Sequence, residues 1–103
     1  MDTMNSFADH MAAQRRLVML RVLLSSTAYT TNSHALNSMT ARLGYPVSMD
    51  RTRSDVAWLA EQGLVGVDDV AGLHIVRLTE RGQDVGNGLA CVPGVARPRA
   101  GEA

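Results

Sequence analysis

Lysine is absent from this chain of 103 residues, and its positive charge is carried by ten arginines alone. Seven Asp and three Glu balance them, so the formal net charge is zero. That balance excludes a strongly basic, histone-like binder and leaves room for a local basic patch. An all-arginine complement suits bidentate recognition of phosphate and guanine, although codon usage produces the same bias with no functional cause. Cysteine is scarce as well. Cys91 stands alone, so no internal disulfide forms and an intracellular chain is expected. Long apolar runs are missing. The longest, Leu17 to Leu24, is eight residues interrupted by Arg21. That falls far short of the roughly 20 needed to span a membrane. Residues 1–6 hold no basic region followed by an apolar run, so no signal peptide is expected.

Signatures of catalysis and metal binding are lacking too. His10, His34 and His74 are far apart and show no metal-ligand spacing. There is no Gly-rich phosphate loop, nucleophile elbow or paired-carboxylate pocket. Neither an enzyme nor a bound cofactor or metal is expected. Cys91, in a tail near Arg97 and Arg99, reads as incidental.

What is present is a globular pattern. The chain is 46% apolar, enough for one domain and too much for a disordered one. Residues 6–24 form a helix, with Ser6 as N-cap and Asp9 in the first turn. Phe7, Met11, Val18 and Val22 make one stripe; Leu17, Leu20 and Leu24 make an adjoining one. Between Leu17 and Leu24 that helix is apolar nearly all round, which calls for cover on more than one side. Ser25 to Thr31 is a polar loop anchored by Tyr29. A second helix, capped by Asn32 or Ser33 and ending at Leu43, buries Leu36, Met39 and Leu43. Gly44 stops it and Tyr45-Pro46 makes the turn. A third helix starts at Ser48, buries Thr52, Val56 and Leu59, and ends at Gln62-Gly63. The period then changes: Leu64–Val67 and Leu73–Leu78 are strands joined by a turn over 68–72. Thr79 caps a fourth helix that turns Val85 and Leu89 inward. Residues 1–5 are expected to be disordered, 6–89 to be the domain, and 90–103 an extended tail whose first part, 90–98, lies against the domain.

Three helices, a β-hairpin and a fourth helix make an α+β chain, mostly α, in the order of a winged helix-turn-helix. Leu59-Ala60-Glu61-Gln62-Gly63-Leu64-Val65 and Leu78-Thr79-Glu80-Arg81-Gly82 resemble segments of arsenic-repressor-like and MarR-like bacterial regulators. More narrowly, Ser6-Phe7-Ala8-Asp9-His10, Arg15-Arg16-Leu17, the run from Val56 to Leu64, and Val92-Pro93-Gly94-Val95 resemble a family of small proteins encoded by Mu-like phages and prophages. That resemblance spans about residues 6–98 and implies a winged-helix fold, a DNA-binding role, no catalytic residues, and the cytoplasm of a bacterial host. The third helix has neither Cys nor His, so the metal-sensing mechanism of the arsenic-repressor-like proteins does not carry over.

The second helix of a helix-turn-helix enters the major groove and its N-terminal residues reach base edges. Here those are Ser48, Arg51, Arg53 and Ser54, with Arg42 placed to hold a neighbouring phosphate. Charge supports them: residues 41–54 hold three Arg and one Asp, whereas 55–88 hold two Arg against six acids. The alternative for Arg51 is an i, i+4 pair with Asp55 on a solvated face. Asp68-Asp69 at the hairpin tip argue against a wing lying on phosphates. Trp58 is an interface anchor or a packing residue against the wing or the first helix. The all-round apolar segment points to a homodimer through Leu17, Leu20 and Leu24. The chain is therefore expected to be a dimeric, sequence-specific binder of double-stranded DNA, a phage-encoded transcriptional regulator. The alternative is a winged helix used as a protein–protein interaction module that never touches DNA.

Overall fold

A computed structural model describes residues 3–100. Expectations for residues 1, 2 and 101–103 lie outside the described residues. Helix α1 runs Thr3–Ser25, a 3-10 turn covers Thr27–Tyr29, and strand β1 is Thr30–Asn32. Then come α2 (Ser33–Arg42), α3 (Met49–Glu61), β2 (Val65–Val70), β3 (Leu73–Leu78) and α4 (Glu80–Gly86). The described residues form an α+β fold of four helices and one antiparallel sheet, ordered β1-β3-β2.

Side-chain caps start each of the three shorter helices. Asn32 accepts from the Ala35 amide, Ser48 from Arg51 and Thr79 from Gly82. Each satisfies an amide that has no intrahelical partner. The end of α3 is equally defined. Leu64 N–H donates to Leu59 C=O and Gly63 N–H to Ala60 C=O, both at 3.0 Å. This Schellman closure needs φ = +76° at Gly63, a conformation that costs glycine little. The Thr79 hydroxyl also donates to Gly63 C=O at 2.7 Å, tying the end of α3 to the start of α4.

The core runs along the C-terminal half of α1. Leu17, Met19, Leu20, Val22 and Leu23 are all buried, against Leu36 of α2, Val56 and Leu59 of α3, Val76 and Leu78 of β3, and Val85 of α4. The tail supplies Val92 and Val95, and Ala96 N–H donates to Ala13 C=O at 3.1 Å. So this one chain covers most of the apolar segment by itself, leaving Val18 and Leu24 half-buried. Leu17 and Leu20 are 3% and 0% exposed, which corrects their expected place in a dimer interface. Leu24 is half-buried against Gly86.

Several inward expectations are also overturned. Ser6 lies inside α1 and does not cap it. Phe7, Tyr29, Met39, Leu43 and Leu89 are exposed. On α2 the buried stripe is Ser33, Leu36 and Thr40, one step round from the expected one. Leu89 lies beyond α4, which ends at Gly86. The polar segment Thr30-Thr31-Asn32, expected as the end of a loop and a candidate helix cap, pairs with Arg77, Val76 and Ile75 of β3. The hairpin turn is two residues, Ala71-Gly72, both with positive φ (53° and 80°) as a type I′ turn requires. Asp68 and Asp69 therefore sit within β2, opposite Ile75 and His74, and the tip itself is uncharged.

Candidate nucleic-acid interface

The α2–α3 corner is held by polar bonds that the apolar pattern does not reveal. The Asn37 side-chain amide donates to Val47 C=O at 2.9 Å and to the Thr52 hydroxyl at 2.8 Å. One residue of α2 thus fixes both the turn and the first turns of α3.

A buried ion pair fixes α3 on α1. Asp55 is on the inward stripe of α3 and 1% exposed. Arg15 reaches it with two bonds, Nε to Oδ2 at 2.5 Å and Nη2 to Oδ1 at 3.1 Å. Arg16 approaches the same carboxylate, Nε to Oδ1 at 3.5 Å, and its Nη1 donates to Gly94 C=O at 3.0 Å. Its guanidinium lies 4.2 Å from the centroid of the Trp58 ring. A Cβ at Gly94 would stand 2.7 Å from that ring, and Gly94 has φ = +99°, so glycine is required on both counts. Trp58 is accordingly a packing residue between α1 and the tail. Sequence reasoning missed this cluster. The available signal was Asp55 itself, a carboxylate on a stripe with Thr52, Val56 and Leu59 that has to find a cation.

Around this anchored helix the candidate contacts divide. Arg42, Ser48, Arg51, Arg53 and Ser54 are all exposed. Arg53 and Ser54 lie on the outer face, and Arg53 meets Asp50 at 3.5 Å in an exposed pair. Such pairs contribute about 0–1 kcal/mol and are easily exchanged for another anion. Ser48 uses its oxygen as the α3 cap. Arg42 ends α2. The alternative pairing of Arg51 with Asp55 is overturned, because Arg15 and Arg16 occupy that carboxylate. Arg51 instead lines a cleft against the N-terminal half of α1.

Each hairpin acid has a side-chain neighbour on β3. Asp68 meets Arg77 at 3.3 Å and Asp69 stands 4.0 Å from His74. Elsewhere, a groove of about 920 Å³ opens between α1 and α2, lined in part by Val18, Leu24, Met39 and Leu43. Among the described residues no three His, Cys, Asp or Glu side chains converge, and no helix is long and apolar enough to cross a membrane.

The fold and the corner define a small α+β protein that presents exposed arginines on a helix locked to its neighbours by a buried ion pair. The chain belongs to a Mu-like phage protein family. It is 44% identical over 91 residues to the uncharacterized protein gp26 of Escherichia phage Mu, covering 88% of this chain and 94% of that protein. An uncharacterized protein of Haemophilus influenzae is 34% identical over 77 residues, 74% of each chain. No family model matches the chain. No solved structure matches it.

Proposed function

We propose that this chain is a winged helix-turn-helix protein that binds duplex DNA, a phage-encoded transcriptional regulator acting as a homodimer in the host cytoplasm. In this reading α2 and α3 are the helix-turn-helix, β2 and β3 the wing, and β1 an added strand on the wing's inner edge. The observation that carries it is the mounting of α3. Its exposed face bears Arg53 and Ser54 near a capped N-terminus, while Asp55 on the opposite face is clamped by Arg15. A helix that reads base edges has to be rigidly placed, and its N-terminal residues are the ones that reach. Arg53 and Ser54 are the base-facing pair, Arg42 takes a flanking phosphate, and Ser48 holds the helix start.

A shift assay on random and phage early-region duplexes, titrated with salt, tests the reading. Retention at low ionic strength that falls linearly in a log–log plot against salt is expected. A folded protein that retains no duplex at any salt decides for the alternative, a protein–protein module. The open groove beside Met39 and Leu43 is what favours that second reading.

A further inference from the structure

Helix α1 spans 23 residues and so rises about 34 Å, more than either of the molecule's two shorter dimensions, 28 and 25 Å. Its buried residues begin only at Arg15, and every residue from Ser6 to His10 is exposed. The projecting segment is not simply polar. Phe7, the only phenylalanine, is 66% exposed and shares a face with Met11 at i+4. Ala8 and Ala12 form the adjoining stripe, low enough to leave a hollow. Together with Asp9 and Arg51 these side chains line a cleft of about 420 Å³, floored by Arg15 and Arg16. Neither the Asp9 nor the Arg51 side chain has an ion-pair or hydrogen-bond partner among the described residues.

We propose that this cleft is the homodimer interface, closed by a second copy of the chain about a twofold axis, with Phe7 entering the hollow of the partner and Asp9 meeting Arg51 of the partner. The proposal rests on the homodimer in the functional reading and says where it forms. Its basis is self-complementarity. One patch holds a projecting ring and a hollow, and in the same cleft a carboxylate and a guanidinium that are unpaired among the described residues. A twofold interface joins a patch to its own copy, so each element has to find its complement in the same patch. Duplex DNA offers only negative charge to such a patch, and Asp9 would oppose it. The same geometry turns Arg51 away from DNA and leaves Arg53 as the base-facing arginine of α3.

Sedimentation of the full chain without DNA tests this, with circular dichroism to show that each variant is folded. The wild-type chain is expected to dimerise at micromolar concentration. Phe7→Asp should weaken the dimer by at least about tenfold, as loss of a central aromatic anchor does. Asp9→Arg and Arg51→Asp should each weaken self-association, because each sets like charges face to face twice. An equimolar mixture of those two variants should recover a heterodimer, read by native mass spectrometry, since both cross-contacts are then opposite in sign. A mixture that associates no better than either variant alone overturns the proposal. A wild-type dimer indifferent to all three substitutions also overturns it and leaves the homodimer standing. A wild-type monomer at all concentrations removes both, and neither result bears on DNA retention.

Discussion

Along α1, the segment from Leu17 to Leu24 is wrapped by α2, α4 and β3, whereas the segment from Ser6 to His10 is exposed at every residue. The wrapped segment is the more apolar of the two, so composition marks it as the surface in need of a partner. The fold supplies that partner from within, by running α1 through the middle of the domain and adding the tail on one side. What remains fully exposed is a segment with one aromatic ring and one alanine among polar residues, while Val18 and Leu24 stay half-buried at the groove beside α2. Covered residues should therefore govern the stability of the single chain, and uncovered ones should govern only its associations. The largest effect tests the covered side. Asp55→Ala leaves Arg15 buried without its counter-ion and should cost about 3–5 kcal/mol in denaturant unfolding. Leu20→Ala should cost about 2–5 kcal/mol by cavity formation. Phe7→Ala, measured on dilute protein, should stay within about 0.5 kcal/mol of wild type. A Phe7 effect as large as that of Leu20 breaks the distinction.

The tail belongs to the covered side, and Gly94 is where that assignment is most exposed to test. Gly94→Ala places a methyl group against the Trp58 ring and a side chain at positive φ. Overpacking of this kind typically costs about 1–3 kcal/mol. Trp58, the only tryptophan, reports the outcome directly. Its fluorescence should shift in the folded variant, and the urea midpoint should fall without a change in slope. No change in either would mean that the tail rests on the domain without holding it.

Much of this arrangement was readable from local chemistry. The caps at Asn32, Ser48 and Thr79, the stops at Gly44 and Gly63, and the inward stripe of α3 each depend on residues close in sequence. The errors arise where a distant segment decides. β1 is three polar residues with no alternation, and it is a strand only because β3 offers an edge. Asp-Asp-Val-Ala-Gly has turn-like composition, yet cross-strand pairing carries Asp68 and Asp69 into β2 and confines the turn to Ala71-Gly72. Met39 and Leu43 lie on an apolar period, but Thr40 and Ser33 face the core instead. Of the candidate site, the exposed arginines were legible and their mounting was not. The Arg15–Asp55 pair joins residues 40 apart, and no local pattern reports a contact of that range.

On the uncovered side, association should change while stability does not. Arg53→Ala should leave unfolding nearly unaltered and cost about 1–3 kcal/mol in binding to a preferred duplex, with relaxed sequence preference. Arg42→Ala should weaken all duplexes alike and lower the salt slope by about one. Fluorescence anisotropy across a salt series separates the two. Equal losses on every duplex for Arg53→Ala would reassign it to the phosphate backbone.

The smallest effect is expected from the hairpin, and its sign is informative. Asp68 and Asp69 are exposed, and each is near a basic partner, Arg77 or His74. Replacing both by Asn removes two negative charges and releases Arg77 from its ion pair, with a stability change of less than about 1 kcal/mol because exposed pairs contribute little. If β2 and β3 lie beside the duplex as a wing, phosphates lose a repulsion and gain a free guanidinium. Binding should then tighten by a few-fold at low salt, about 1 kcal/mol or less, and the gain should fade as the Debye length shortens toward 3 Å near 1 M salt. A hairpin directed away from the duplex predicts no change at any salt. A gain that persists undiminished at high salt would point to a change in hairpin packing, since a screened surface charge cannot produce it. The same double variant should leave the sedimentation of the chain unaltered, because Asp68 and Asp69 are not among the residues lining the α1 cleft.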